Sequence, residues 1–179
     1  LKTQFTNVNK TINIAGKELT DQELRNAVYS GSWVTDAKRY FSKTGCPAYN
    51  IGSDYLKGSS LRQEYLETAI KWFSKGNIEK FMSEHQHDSD AKDLWEYFQQ
   101  IISWLEINFR NKKNMKGIDW GYFYNKYKNK TFNENEIEKK TTELIIDDEV
   151  SNDKGIYPFL ITGEEKYLSL RTFPKGMKL

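Results

Sequence analysis

The chain has 179 residues, enough for one ordinary domain with a core, or for one domain and a tail. Hydrophobic residues make up 37% and aromatics 15%, which excludes a disordered polymer, while 29% charged residues place the chain on the polar side of soluble globular proteins. Twenty-seven basic residues against 25 acidic ones leave a net charge of +2, so bulk charge gives no sign of nucleic acid and any phosphate contact must come from a local patch.

Eleven Tyr, ten Phe and five Trp supply large buried area where aliphatic side chains are few. The single Cys46 can neither close a disulfide within the chain nor build a Cys-rich zinc site, and a reducing cytoplasm is the expected compartment. No apolar run reaches the length of a membrane span, and Leu1–Lys10 lacks the apolar stretch of a signal peptide.

In chain order, residues 1–17 are expected to be an irregular arm or short strand carrying Phe5, Val8, Ile12 and Ile14, interrupted at Gly16. Thr20-Asp21-Gln22-Glu23 has the form of a capping box, and a helix should follow from about Asp21 to Tyr29. Ser32 is placed to cap a second helix reaching Phe41, with Trp33 and Ala37 on its apolar face; Thr44-Gly45-Cys46-Pro47 interrupts it. Ser59 and Ser60 should open a helix from Leu61 to Phe73, whose apolar positions Leu61, Tyr65, Leu66, Ala69, Ile70 and Phe73 follow the helical repeat.

A short helix from Ile78 to Ser83 precedes the polar tract Glu84–Asp90, which reads as a solvated loop. The strongest helical pattern runs from Asp90 to Phe109, about 30 Å at 1.5 Å per residue. Cations between Arg110 and Lys116 end it and suit the helix dipole. Trp120 to Tyr127 marks a short aromatic helix, Glu136 to Ile146 another, and Ile156–Gly163 and Tyr167–Phe173 are shorter apolar segments. The fold class expected is all-α, an irregular multi-helix bundle with an irregular N-terminal arm.

Chemistry is harder to find. No nucleotide-binding loop, nucleophile elbow or HExxH is present. His85 and His87 are two apart, the wrong spacing for a metal pair on one helical face. Nothing places either beside Cys46 to make a nucleophile. Arg110, Lys112, Lys113 and Lys116 form the best candidate phosphate contact. Lys126, Lys128 and Lys130, interleaved with Tyr122, Tyr124 and Tyr127, have the composition that suits single strands, although a solvated helix end and buried aromatics account for the same residues.

Four segments together resemble one family. The first is Thr11 to Gly31, with Asn13, Gly16, Gln22, Glu23, Arg25 and Asn26. The second is Arg62 to Trp72, the third Ile118 to Tyr124, and the fourth Gly155 to Leu160 with Gly163 to Phe173. The first resembles the segment that closes the ParB/sulfiredoxin-like nuclease domain of GmrSD-type restriction proteins. All four resemble the linking region of the subgroup that continues into a C-terminal HNH nuclease domain. The resemblance implies that residues 1–31 are the tail of the nuclease domain and 32–179 a helical connector.

On that reading the chain is an interior piece of a phage-defence DNA endonuclease and holds no complete catalytic site, cofactor or metal of its own. The divalent metal, and any nucleotide, belong to the longer parent. Asn13 would face the pocket of the intact N-terminal domain, Glu23 would cap its helix, and Arg25 and Asn26 would pin that helix to its neighbours. DNA is then the expected partner, reached through the parent, with no membrane. The alternative is a protein-interaction or homodimerisation module using Trp33, Trp104 or Trp120 as exposed contacts.

Overall fold

The computed structural model describes residues 13–14 and 16–171, so Phe5, Val8, Ile12 and most of the expected arm lie outside the described residues. At its beginning, β1 (Asn13–Ile14) and β2 (Lys17–Glu18) form a minimal antiparallel ladder pairing Asn13 with Glu18 and Ile14 with Lys17. Gly16 makes the turn between them at φ 79°, a left-handed conformation that costs glycine nothing. From there the described chain is helical, with nine α-helices, as the apolar spacing requires.

Two compact units divide these helices. The first comprises the described residues through Asn50 together with Gly58–Trp95. It contains α1 (Asp21–Val28), α2 (Ser32–Phe41), most of α3 (Pro47–Gly52), α4 (Glu64–Phe73), α5 (Ile78–His85) and the start of α6 (Lys92–Asn108). By contact, α1 belongs with the helices after it, because α4 packs on α1, α2 and α5.

The capping box forms: Thr20 Oγ1 accepts from the Glu23 amide at 3.2 Å, and the Thr20 amide donates to Glu23 Oε2 at 2.7 Å. Ser32, by contrast, caps nothing. Gly31 is the N-cap of α2, and the Ser32 hydroxyl donates instead to the Asp88 carbonyl at 2.6 Å. Sequence spacing missed α3 altogether. Pro47 occupies its first position, where a missing N–H costs nothing, so the residue that ends one helix starts the next.

Helix α4 begins at Glu64, later than expected. Gln63 adopts φ 65°, and the Arg62, Gln63 and Glu64 amides turn back to the Ser59 and Ser60 carbonyls. Leu61 therefore falls outside the helix and is 59% exposed. Trp33, Val34, Ala37 and Phe41 of α2 meet Tyr65, Leu66, Ala69 and Ile70 of α4 and Met82 of α5 in the core, with Trp33 edge-on to Phe81 at 5.4 Å.

The second unit comprises Ile51–Lys57 and the described residues from Glu96 onward. It holds the rest of α6, then α7 (Trp120–Tyr127), α8 (Glu134–Ile145) and α9 (Ile156–Thr162). Its core is aromatic. Phe109 lies 5.5 Å from Tyr157, 6.0 Å from Trp104, 6.1 Å from Phe132 and 6.2 Å from Trp120 between ring centres. Such pairs add specific geometry to ordinary apolar burial.

Asp119 caps α7, accepting from the Tyr122 amide at 3.3 Å, and Asn133 caps α8 by the same device. A smaller apolar cluster of Val150, Ile156 and Leu168 is filled out by Leu144, Ile145, Phe159 and Leu160. A β-carbon on Gly155 would sit 1.7 Å from the Tyr167 carbonyl oxygen, so only glycine admits that close crossing.

Candidate nucleic-acid interface

The cationic run that follows α6 is an ordered loop. Its backbone is held at four points: the Gly117 amide donates to the Tyr55 carbonyl at 2.9 Å, the Tyr157 hydroxyl to the Asn111 carbonyl at 2.6 Å, the Trp120 indole to the Met115 carbonyl at 3.1 Å, and the Phe109 amide to the Leu105 carbonyl at 2.9 Å. Met115 is fully buried. A loop anchored by one buried side chain and several backbone bonds holds its surface residues in a fixed register.

The four candidate cations divide into two kinds. Arg110 Nε pairs with Glu134 at 2.5 Å; that contact raises the guanidinium's pKa and lowers the carboxyl's. Lys112 lies between Asp54 at 3.3 Å and Glu106 at 3.4 Å, with its ammonium 5.4 Å from the Tyr55 ring centre. Desolvation works against its charge, but Tyr55 and Asp54 outweigh it and the pKa rises. Lys113 and Lys116 are exposed and make no ion pair among the described residues. Half of the run is thus neutralised in place.

The second cationic run is also largely engaged. Lys126 lies over the Tyr122 and Tyr127 rings at 5.6 and 5.4 Å, and Lys128 over Tyr124 at 5.4 Å. Lys130 donates to the Ile161 carbonyl at 2.6 Å and lies over Phe132. Tyr124 is buried, and only Tyr122, at 47% exposure, offers part of a ring to solvent. The stacking platform expected for a single strand is therefore covered by the chain's own lysines. Burial raises the Tyr97 phenol to about 12 and pushes Tyr157 up as well, which keeps both neutral hydrogen-bonding groups at ordinary pH.

The family-motif residues lie in the first unit. Arg25 spans α4 and α5, with Nη1 on Glu67 at 2.7 Å and Nε on Glu79 at 2.6 Å. Desolvation alone would depress its pKa; hydrogen bonds to Glu79 and Glu67 reverse the sign. Gln22 is fully buried; its amide donates to Asn26 Oδ1 at 2.9 Å, and the Asn26 amide reaches Gln63 at 3.1 Å. Glu23 closes the capping box and accepts from Arg62 at 3.3 Å. Gly16 makes the hairpin turn, and the side chain of Asn13 lies outside the described residues.

Other groups were tested in turn. His85 Nδ1 is 2.6 Å from Asp88, beside a cavity of about 260 Å³ lined by Trp33, Phe73, Phe81 and Asp93. A groove of about 710 Å³ runs past Gln99, Gln100, Trp104, Tyr124 and Lys128. Cys46 is buried. Among the described residues no group of three or more His, Cys, Asp or Glu is placed to hold a metal ion, and no helix is long and apolar enough to cross a membrane.

Trp33, Trp104 and Trp120 are all buried, at 3%, 7% and 0% exposure, which corrects the expectation that they form exposed contacts: each is an aromatic wall of its own unit's core. Two cations that sequence reasoning passed over, Lys57 and Lys154, stand beside the loop. Their distance from it along the chain left no signal to find them by. No family model matches the chain, and no curated protein or solved structure matches it either.

Proposed function

We propose that the chain is a helical connector and DNA-docking segment of a restriction endonuclease, and that it contacts backbone phosphate through the loop after α6. The nuclease context rests on the resemblance of the four segments to GmrSD-type proteins. The docking role is supported by one observation above the others. A loop fixed through its backbone and through buried Met115 leaves Lys113 and Lys116 exposed without an ion pair among the described residues.

Such lysines meet phosphates by charge and carry no base information, so they position the protein on DNA and leave specificity to other parts. Arg110 and Lys112 contribute less to this contact, because each must first leave a carboxylate. The test is the salt dependence of duplex binding by the 179-residue chain, followed by fluorescence anisotropy. Each phosphate neutralised contributes about 0.9 to the slope of log affinity against log salt. Replacing Lys113 and Lys116 together by Ala should lower that slope by about two. An unchanged slope in the double variant, or no binding by the parent chain, overturns the docking role.

A further inference from the structure

Two lysines remote from the cationic run converge on the same loop. The Gly117 amide bonds to the Tyr55 carbonyl, and this lays the stem of Lys57 across Gly117. A β-carbon there would meet Lys57 Cδ and Cε at 2.5 Å. Gly117, at φ 82°, both turns the chain and leaves room for that stem. From the other side, Asn114 Nδ2 donates to Asp153 at 3.3 Å, which seats the short 3₁₀ turn Asp153–Gly155 against the loop. Lys154 lies in that turn, and its ammonium comes within hydrogen-bonding reach of Lys57.

Two ammonium groups in contact repel, and a folded chain ordinarily places a carboxylate between them. Here Asp153 is engaged by Asn114 and Asp54 by Lys112, and neither Lys57 nor Lys154 has an ion pair among the described residues. Contact with Lys57, followed by desolvation, holds the Lys154 ammonium below the ordinary lysine pKa. Lys116, exposed, is the next cation along the loop. An oxyanion with several acceptor oxygens takes hydrogen bonds from both ammoniums at once and turns the repulsion into attraction.

We propose that Lys57 and Lys154 form a docking point for a phosphate group beside the loop. This deepens the DNA reading, on which only the nucleic-acid arm of the test rests. The same phosphate chemistry has two sources, a nucleic-acid backbone or free phosphate.

The test begins with thermal unfolding of the 179-residue chain in inorganic phosphate against chloride at matched ionic strength. Specific binding raises the midpoint in a saturable way, by about 2–4 °C at phosphate several-fold above its Kd. The double variant Lys57→Gln with Lys154→Gln should lose that rise. Lys139→Gln, an exposed lysine elsewhere, should keep it. A rise that is equal in parent and double variant is general salting-out and overturns the site, as does no rise in the parent.

The second arm measures the salt slope of duplex binding in the same double variant. A slope lower by about two, with the phosphate response lost, identifies the nucleic-acid backbone as the source. A lost phosphate response with an unchanged slope identifies free phosphate; the site then stands without the DNA reading.

Discussion

Arg25 and the loop after α6 present cations in opposite ways. Arg25 is mostly buried and holds two carboxylates from two helices, so its charge is spent inside the first unit. The loop of the second unit holds its backbone just as firmly, yet leaves Lys113 and Lys116 in solvent. In a single sequence both are cations among polar neighbours. Burial and pairing separate them, and neither can be read from composition. A cation that is structural should register in stability, and one that is available should register in binding.

The largest effect on this comparison should come from removing what holds the loop. Phe109 is 1% exposed and touches four other rings, so Phe109→Ala should cost about 3–5 kcal/mol. Urea unfolding monitored by near-ultraviolet circular dichroism gives the number. The same variant should weaken duplex binding although no cation is touched, because the loop loses its register. Unaltered binding after a loss of that size would mean that the lysines need no fixed backbone.

Next in size is Arg25. Arg25→Ala should destabilise by about 1–3 kcal/mol, less than a fully buried pair, because Glu67 and Glu79 remain 31% and 49% exposed and rehydrate when freed. Arg25→Met keeps the apolar stem and should recover part of the loss. DNA affinity should not change in either variant. A fall in affinity at unchanged stability would move Arg25 from the structural group to the binding one.

Much of the helical order was legible in advance, and the reasons are local. The Thr20–Glu23 capping box needs only residues three apart, and the α6 stripe from Leu94 to Leu105 repeats on one face. What was illegible depended on contacts distant in sequence. Ser32 gave up its expected cap for the Asp88 carbonyl, and Pro47 opened a helix where a break was expected. Leu61 fitted the periodic pattern, yet the turn at Gln63 excluded it from the helix. Within the site, Arg110 to Lys116 read as one patch. Glu134 and Asp54, each far along the chain, divide it, and Lys57 and Lys154 join it from outside.

The smallest effect tests that division directly. The contact with Arg110 holds the Glu134 carboxyl below its ordinary pKa, while burial opposes it weakly. A depressed carboxyl pKa contributes stability that is present above the unfolded value of 4.5 and is lost as pH falls through the folded one. Arg110→Ala should therefore flatten the acid limb of the stability curve below about pH 4.5 and change little at neutral pH. High salt should erase the difference, since both groups are exposed. Lys113→Ala, with no partner to release among the described residues, should leave the acid limb as it is while still reducing the salt slope of DNA binding. If Lys113→Ala shifted the acid limb as Arg110→Ala does, the two cations would be equivalent and the loop would act as one undivided patch.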